Sequence, residues 1–189
     1  MDAKVTGSGI RADTAVPAGI GSGHGPGPEH GPGWVLRSGV ASDVEQIAEL
    51  RAAVMRADLV RLGRYDEHRV RQRLRDSFST RDTSVIMVGR ELVGCVTVRP
   101  VDGGQFLEHF YLAAHHQGRG IGSAVLRTLL ERADAQGLTV RLIVVQGSDA
   151  RRLYERHGFV MEAEDPIDVH MVRPPGAGTG GGTGSAPDA

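Results

Sequence analysis

Three groups of residues in this 189-residue chain have types and spacings able to do chemistry. The first is the Gly-rich turn His116-Gln117-Gly118-Arg119-Gly120-Ile121-Gly122-Ser123. Consecutive small residues let backbone amides turn toward one point, and a following helix adds its positive end, so the turn suits a pyrophosphate. Taken alone the pattern is weak, and a tight strand-to-helix turn with no ligand fits it too. A P-loop needs Gly-Lys-Ser/Thr, which does not occur. A dinucleotide fingerprint needs Gly or Ala where Ser123 stands and an acidic residue closing the next strand, which instead runs out at Val145-Gln146. The second group is the titratable pair Glu108 and His109 on one strand, which alternation sends to opposite faces. His109 has the more convenient unperturbed pKa for proton transfer near neutrality. The third is Tyr154, on a helix whose Ala150, Leu153, Tyr154 and His157 follow i, i+3, i+4, i+7 spacing, where an aromatic residue is ordinarily core.

The elements that must position these groups are legible from period and punctuation. Trp34–Arg37 is a short strand. Ser42-Asp43-Val44-Glu45 matches a capping box that opens a helix, and Asp66 is a suitable N-cap for a second one carrying the stripe Val70, Leu74, Phe78. Residues 85–88 and 92–98 form a hairpin through Gly89-Arg90, ended by Pro100, and Asp102-Gly103-Gly104 turns into a strand over 106–112. A long helix follows the Gly-rich turn and is capped at Gly137. A buried strand over 139–145, the Tyr154 helix and two last strands around Pro166 complete the chain. The order β-α-α-β-β-β-α-β-α-β-β, with a single β-α-β crossover, predicts an α/β fold: a mixed, mostly antiparallel central sheet flanked by helices.

Composition bounds the rest. Glycines crowd into 19–33 and 176–184, stretches with too little apolar surface to order, so residues 1–33 are expected to be a disordered Gly/Pro-rich arm and 174–189 a disordered tail around one domain at 34–173. The net charge of −1 gives no drive toward nucleic acid or anionic membrane. The single cysteine, Cys95, rules out a disulfide framework and suits a reducing cytoplasm. Residues 1–18 contain no apolar h-region, and no apolar run reaches membrane-spanning length. His24 and His30 lie in the Gly/Pro arm without ligand-like neighbours, so no metal is expected.

The blocks Leu107-Glu108-His109-Phe110-Tyr111-Leu112, Gln117-x-x-Gly120-x-Gly122 and Ala150-Arg151-Arg152-Leu153-Tyr154-Glu155-Arg156-His157-Gly158-Phe159 resemble the GNAT superfamily of acyl-CoA N-acyltransferases, in the family's order and over about residues 34–173. The resemblance implies a strand over 106–112 that splays from the strand over 139–145 to hold coenzyme A. Pantetheine is then expected on the backbone of Phe110, Tyr111 and Leu112, and the pyrophosphate on the turn formed by Gln117, Gly118, Arg119, Gly120, Ile121, Gly122 and Ser123. An Asn often found before the last core helix is replaced here by Gly147-Ser148, so Ser148 either bonds the cofactor or caps the helix.

The implied reaction moves an acetyl or other short acyl group from acetyl-CoA to an amine. The site must take a proton from the ammonium, hold the carbonyl oxygen as it becomes an oxyanion and let the thiolate leave. The family's strand-borne base is usually a carboxylate on the face that Glu108 is expected to share with Phe106, Phe110 and Leu112, which favours Glu108 over His109 or a water chain. Tyr154 matches the family's general acid. Arg51, Arg56, Arg61, Arg64, Arg69, Arg71, Arg73 and Arg75 make the first two helices basic, either to grip an anionic group on the acceptor or as a solvated face with paired charges. The acceptor is a small-molecule or peptide amine, and a homodimer stays open. Two readings compete: a non-catalytic acyl-CoA sensor, and an RNA-directed protein using the Arg-rich helices, which the balanced charge disfavours.

Overall fold

The computed structural model describes residues 29–31 and 33–176. The strands are β1 (Glu29–Gly31), β2 (Trp34–Ser38), β3 (Thr83–Val88), β4 (Glu91–Val101), β5 (Gly104–Leu112), β6 (Thr139–Val145), β7 (Val160–Glu164) and β8 (Asp168–Arg173). The helices are α1 (Val44–Arg61), α2 (Glu67–Ser77), α3 (Ile121–Ala135) and α4 (Ala150–Arg156). One sheet runs β1-β2-β3-β4-β5-β6-β8-β7. Every pairing is antiparallel except β5 with β6, the two strands joined by the α3 crossover. The expected mixed sheet is therefore present, with one strand more than the sequence suggests. β1 lies inside the segment expected to be a free arm and pairs Glu29 with Leu36. The rest of the arm, and the tail beyond Gly176, lie outside the described residues.

Two apolar cores sit on opposite faces of the sheet. On one, Val125, Leu126 and Leu130 of α3 and Tyr154 of α4 pack on Val96, Leu107 and Leu142. On the other, Ile47 and Ala48 of α1 and Leu74 of α2 pack on Val85, Cys95 and Tyr111. Among the described residues no helix is long and apolar enough to cross a membrane.

Local chemistry sets the helix starts. The Asp66 carboxylate accepts the Arg69 amide at 2.7 Å, as an N-cap should. The expected Ser42 capping box does not form. A 3-10 turn, Ala41–Asp43, precedes α1, and the buried Asp43 carboxylate accepts the Val40 amide at 2.8 Å and the Arg37 guanidinium at 2.7 and 2.8 Å. The Glu45 carboxylate that the box would need is instead held by Arg75 at 2.8 and 2.9 Å.

β4 continues through Pro100 to Val101, and the two-residue turn Asp102-Gly103 fixes the hairpin register, with Val101 opposite Gly104 and Thr97 opposite Glu108. Gly104 has no room for a side chain, because a Cβ there would meet the Thr139 backbone of β6. That close approach starts the β5–β6 pairing, which runs from Gly104↔Thr139 only to Leu107↔Leu142. Beyond Leu142, β6 stays paired to β8 as far as Val145. Residues 108–112 therefore leave β6, and a wedge-shaped gap opens between the two parallel strands.

Candidate active site

Polar groups gather beside the gap. At its mouth, α3 is entered through Gly118 (φ +71°) and Gly120 (φ +82°), backbone that side-chain-bearing residues rarely adopt, and a Cβ on either would project into open space. Among the described residues the amides of Gly118, Arg119, Gly120, Ile121, Gly122 and Ser123 have no acceptor. The first amide of the helix to find one is Ala124, on Gly120 O at 2.9 Å. Six consecutive free N–H groups at a helix N-terminus form an anion cradle. The side chains brace it. Gln117 Nε2 donates to Leu112 O at 2.7 Å, and Ser123 Oγ lies 2.6 Å from His157 Nε2, tying α3 to α4.

In the core on the α3 side lies Tyr154, 6% exposed, its ring edge-on to Phe159 at 5.7 Å. Its hydroxyl makes no hydrogen bond with any described residue, an uncommon state for a buried phenol. Burial, the dominant cause, and nearby Tyr111 push its pKa well above the ordinary value, so it is protonated and able to donate.

The edge of β5 lines the gap. Ala113 N donates to Val93 O at 2.7 Å and Tyr111 sits opposite Cys95, so the main chain of both faces β4. Antiparallel alternation then turns Phe110 and Leu112 toward the gap that β6 has vacated. Of the three residues expected to present backbone to pantetheine, Phe110 and Leu112 face the gap and Tyr111 faces β4. Ser148 Oγ lies 3.4 Å from the Ala150 amide, at the start of α4.

A bulge corrects the expected faces of Glu108 and His109. Register slips between Cys95↔Tyr111 and Thr97↔Glu108, so two residues of β5, His109 and Phe110, oppose the single residue Val96. His109 adopts φ +51°, the only non-glycine with positive φ among the described residues, and its carbonyl accepts the Cys95 thiol at 3.1 Å. Cys95 and Thr97 both face α1 and α2, with Val85 and Thr83 across β3, and carry Tyr111 and Glu108 with them. Phe110 and Leu112 instead pack with Leu107 on the α3 side. Glu108 therefore keeps only Phe106 of its expected companions and shares its face with His109.

The two titratable residues have different partners there. Arg99 holds the Glu108 carboxylate at 3.1 and 3.4 Å and stacks on Phe106 at 5.8 Å. His109 is enclosed. Arg51 and the Tyr111 hydroxyl approach Nδ1 at 3.4 and 3.3 Å, Arg51 also donates to that hydroxyl, and Nε2 is 3.0 Å from Ser77 Oγ. Arginine only donates, so Nδ1 is the acceptor. Nε2–H then donates to Ser77, whose own proton goes to Arg73 O at 2.6 Å. Burial first, then the Arg51 and Arg99 charges, lower the His109 pKa to about 4. The ring is neutral at pH 7, and its one basic lone pair is occupied. Tyr111, pushed up to about 12 by burial, stays protonated beside it.

The other arginines are mostly tied down. Arg71 pairs with Glu49 and Glu67, Arg75 with Glu45 and Arg61 with Asp58, while Arg56 stacks on Tyr65 at 5.1 Å. Arg61 also donates to Gln146 O at the end of β6. The basic helices are thus held largely by their own carboxylates. Arg99 and Ser77 escaped the sequence reading, and Arg51, counted there among the basic helix residues, was not tied to His109 and Tyr111. Of these, only Arg99 had a findable signal, since a two-residue turn at Asp102-Gly103 sets it diagonally beside Glu108.

A mixed sheet with one splayed parallel pair, a free-amide cradle at its mouth and a buried, unpartnered phenol in the adjoining core fit an acyl-coenzyme A transferase architecture. Residues 46–159 match the family model described as the acetyltransferase (GNAT) family, and the chain belongs to that family of acyl-CoA-dependent N-acetyltransferases. Solved structures share the fold. The PaiA N-acetyltransferase of Thermoplasma acidophilum, in complex with coenzyme A, is 18% identical with TM-score 0.62 over 75% of this chain and 98% of that one. The ribosomal-protein-S18-alanine N-acetyltransferase of Escherichia coli is 18% identical with TM-score 0.57, over 78% and 97%. A spermidine N-acetyltransferase chimera of Vibrio cholerae and human sequence is 18% identical with TM-score 0.55, over 76% and 96%. No curated protein matches the sequence closely enough to serve as a relative.

Proposed function

We propose that this protein transfers an acetyl or other short acyl group from acetyl-CoA to an amine by direct attack, with Glu108 as general base and Tyr154 as proton or hydrogen-bond donor to the leaving sulfur. One observation carries the proposal: among the described residues the splayed β5–β6 pair is accompanied by two sets of unpartnered polar groups, the amides 118–123 and the buried Tyr154 hydroxyl. Acetyl-CoA, when bound, supplies an activated acyl carbon with a thiolate as leaving group.

The residues divide the work. Free amides of Gly118 to Ser123 receive the pyrophosphate charge, and the α3 dipole adds to them. Phe110 offers main-chain groups along the gap, and Leu112 its amide, its carbonyl being held by Gln117. Glu108 takes the proton of the attacking ammonium, since His109 has its lone pair covered, and Arg99 orients the carboxylate. Tyr154 is protonated throughout the working range, and in this reading its O–H meets the departing sulfur. The acceptor is a small-molecule or peptide amine, such as the alanine and spermidine amines named for two structural neighbours. A reducing cytoplasm suits the reaction and the single, buried Cys95 thiol.

An acceptor screen against acetyl-CoA with free-thiol detection tests the proposal. Thiol release that depends on an added amine supports it. Tight coenzyme A binding with no amine-dependent release across amino acids, polyamines and peptides would convert the site into a sensor.

A further inference from the structure

The turn that leads into the cradle carries a constellation that acyl transfer does not use. His115 and His116 stand in the 3-10 turn Ala114–His116, immediately before Gln117, and Glu91 opens β4 just after the β3–β4 turn. One ligating atom from each of the three lies within 4.8 Å of the other two. Nε2 of His115 is 3.0 Å from one oxygen of Glu91, and Nε2 of His116 is 3.6 Å from the other. Ligand atoms bound at roughly 2.0–2.1 Å in a tetrahedron stand about 3.4 Å apart, so these separations already approximate a ligand shell.

His116 distinguishes this cluster from an ordinary surface ion pair. The residue is only 7% exposed, and the one carboxylate its ring approaches among the described residues is Glu91, at 3.6 Å. That separation is too long for a good hydrogen bond. A largely buried ring nitrogen held only by a loose ion pair is poorly satisfied, and a metal ion between the two rings and the carboxylate would satisfy it. Two imidazoles with one carboxylate suit zinc, cobalt, nickel or copper and not magnesium or calcium, whose sites are all oxygen.

We propose that Glu91, His115 and His116 bind one divalent transition-metal ion of the zinc class, pinning the entry of the Gly-rich turn to the β3–β4 hairpin. Three protein ligands leave a fourth position for water. Among the described residues no other cluster brings three such groups together. The site is independent of the acyl chemistry and stands or falls separately from it.

The test uses the full chain, stripped with a chelator and titrated with Zn²⁺ by calorimetry and with Co²⁺ by visible absorption. Saturable binding of one ion is expected, with a tetrahedral or five-coordinate Co²⁺ spectrum and a higher Tm in Zn²⁺. Glu91→Ala and His115→Ala change exposed side chains and so spare the fold. Each should weaken binding by more than about a hundredfold, beyond what loss of an outer-sphere partner brings. A His24→Ala/His30→Ala double variant separates this site from the two histidines of the N-terminal arm and should bind as the parent does. No saturable Zn²⁺ binding overturns the proposal, as does binding abolished by the arm variant and untouched by Glu91→Ala and His115→Ala.

Discussion

The two sides of β5 satisfy their polar groups in opposite ways. Toward α1 and α2, Arg51, Tyr111, His109 and Ser77 close on one another, and the last proton goes to the Arg73 carbonyl. On the α3 side, six amides at the helix start and the buried Tyr154 hydroxyl have no partner among the described residues. An unpaired buried phenol is uncommon and six open amides at one turn suit an anion, so this side marks surface that a ligand completes, whereas a closed network marks structure. Polar character alone does not distinguish the two, because both sides carry tyrosine and histidine. Glu108 lies between these extremes, paired with Arg99 yet still partly reachable.

Gly120→Val should break this contrast most severely. The variant strains a φ of +82°, costing about 1–3 kcal/mol of stability, and drives a branched side chain into the open cradle. Two lost charge-assisted amide bonds at about 1.5 kcal/mol each weaken coenzyme A binding by roughly a hundredfold or more. Calorimetry on the folded variant checks this, and unchanged affinity would remove the cradle assignment. Gly122→Ala is the matched control. Its Cβ would meet Leu153 and Phe110 only at 3.8 and 4.0 Å, so stability should hold or rise by up to about 1 kcal/mol.

Much of this layout was legible in the sequence. The α1–α4 and β2–β8 order, the Asp66 cap, the splay and the cradle all rest on signals that act locally or that hold in family order. The bulge was not legible. Period-2 alternation is the only facing signal a strand carries, and one inserted residue reverses it without leaving any mark in composition. Histidine takes positive φ more often than most residues but still rarely, so nothing in the strand marked His109 as the bulge, and Glu108 was placed on the face of Phe110 and Leu112, away from its true neighbours. β1 was hidden for a different reason, since Glu29-His30-Gly31 has no apolar alternation and is held by its partner strand. The Glu91, His115 and His116 cluster joins residues 24 apart, which no local spacing rule detects.

Glu108→Gln ranks next. The amide keeps the shape and loses the proton acceptor, so turnover should fall by ~10²- to 10⁴-fold near pH 7, with acetyl-CoA affinity nearly intact. The deficit should narrow at high pH, where free amine is plentiful. With His109 closed off by Arg51 and Tyr111, no neighbour stands ready to substitute. An unaltered pH–rate profile would transfer the role to water.

Tyr154→Phe should have a smaller kinetic effect and an informative stability effect. Burial makes the phenol a weaker acid than in water, and proton transfer to a thiolate is uphill by roughly 1.5 units even at reference values. A hydrogen bond to the departing sulfur, worth about 0.5–1.5 kcal/mol, then predicts a fall of about tenfold at most in turnover with little change in affinity. A fall beyond a hundredfold would establish full proton donation. Because the free protein gives this hydroxyl no partner, its removal should leave Tm unchanged or higher. A clear loss of Tm would mean the phenol is structurally engaged and place it with the closed side.

The smallest effect is expected on that closed side, and it concerns pH and not rate. The His109 pKa of about 4 in the folded chain lies below its ordinary 6.5. Between these values the unfolded chain binds a proton that the folded chain refuses, so the stability contributed by the neutral ring is complete above about pH 6.5 and is lost progressively as pH falls toward 4. His157, lowered mainly by burial and then by Arg127, Arg156 and Arg173, adds to the slope in the same direction. His109→Asn removes the first contribution and keeps a residue type that tolerates positive φ. It loses the bonds to Arg51 and Ser77, so some stability at pH 8 should go, but unfolding free energy plotted against pH should be flatter between 6.5 and 4 than in the parent. Turnover at pH 8 should stay within about threefold, or ~0.6 kcal/mol in barrier. A large fall in turnover with the parent's pH–stability slope preserved would reverse the comparison, making His109 a participant in proton transfer and its enclosure a resting state that substrate opens.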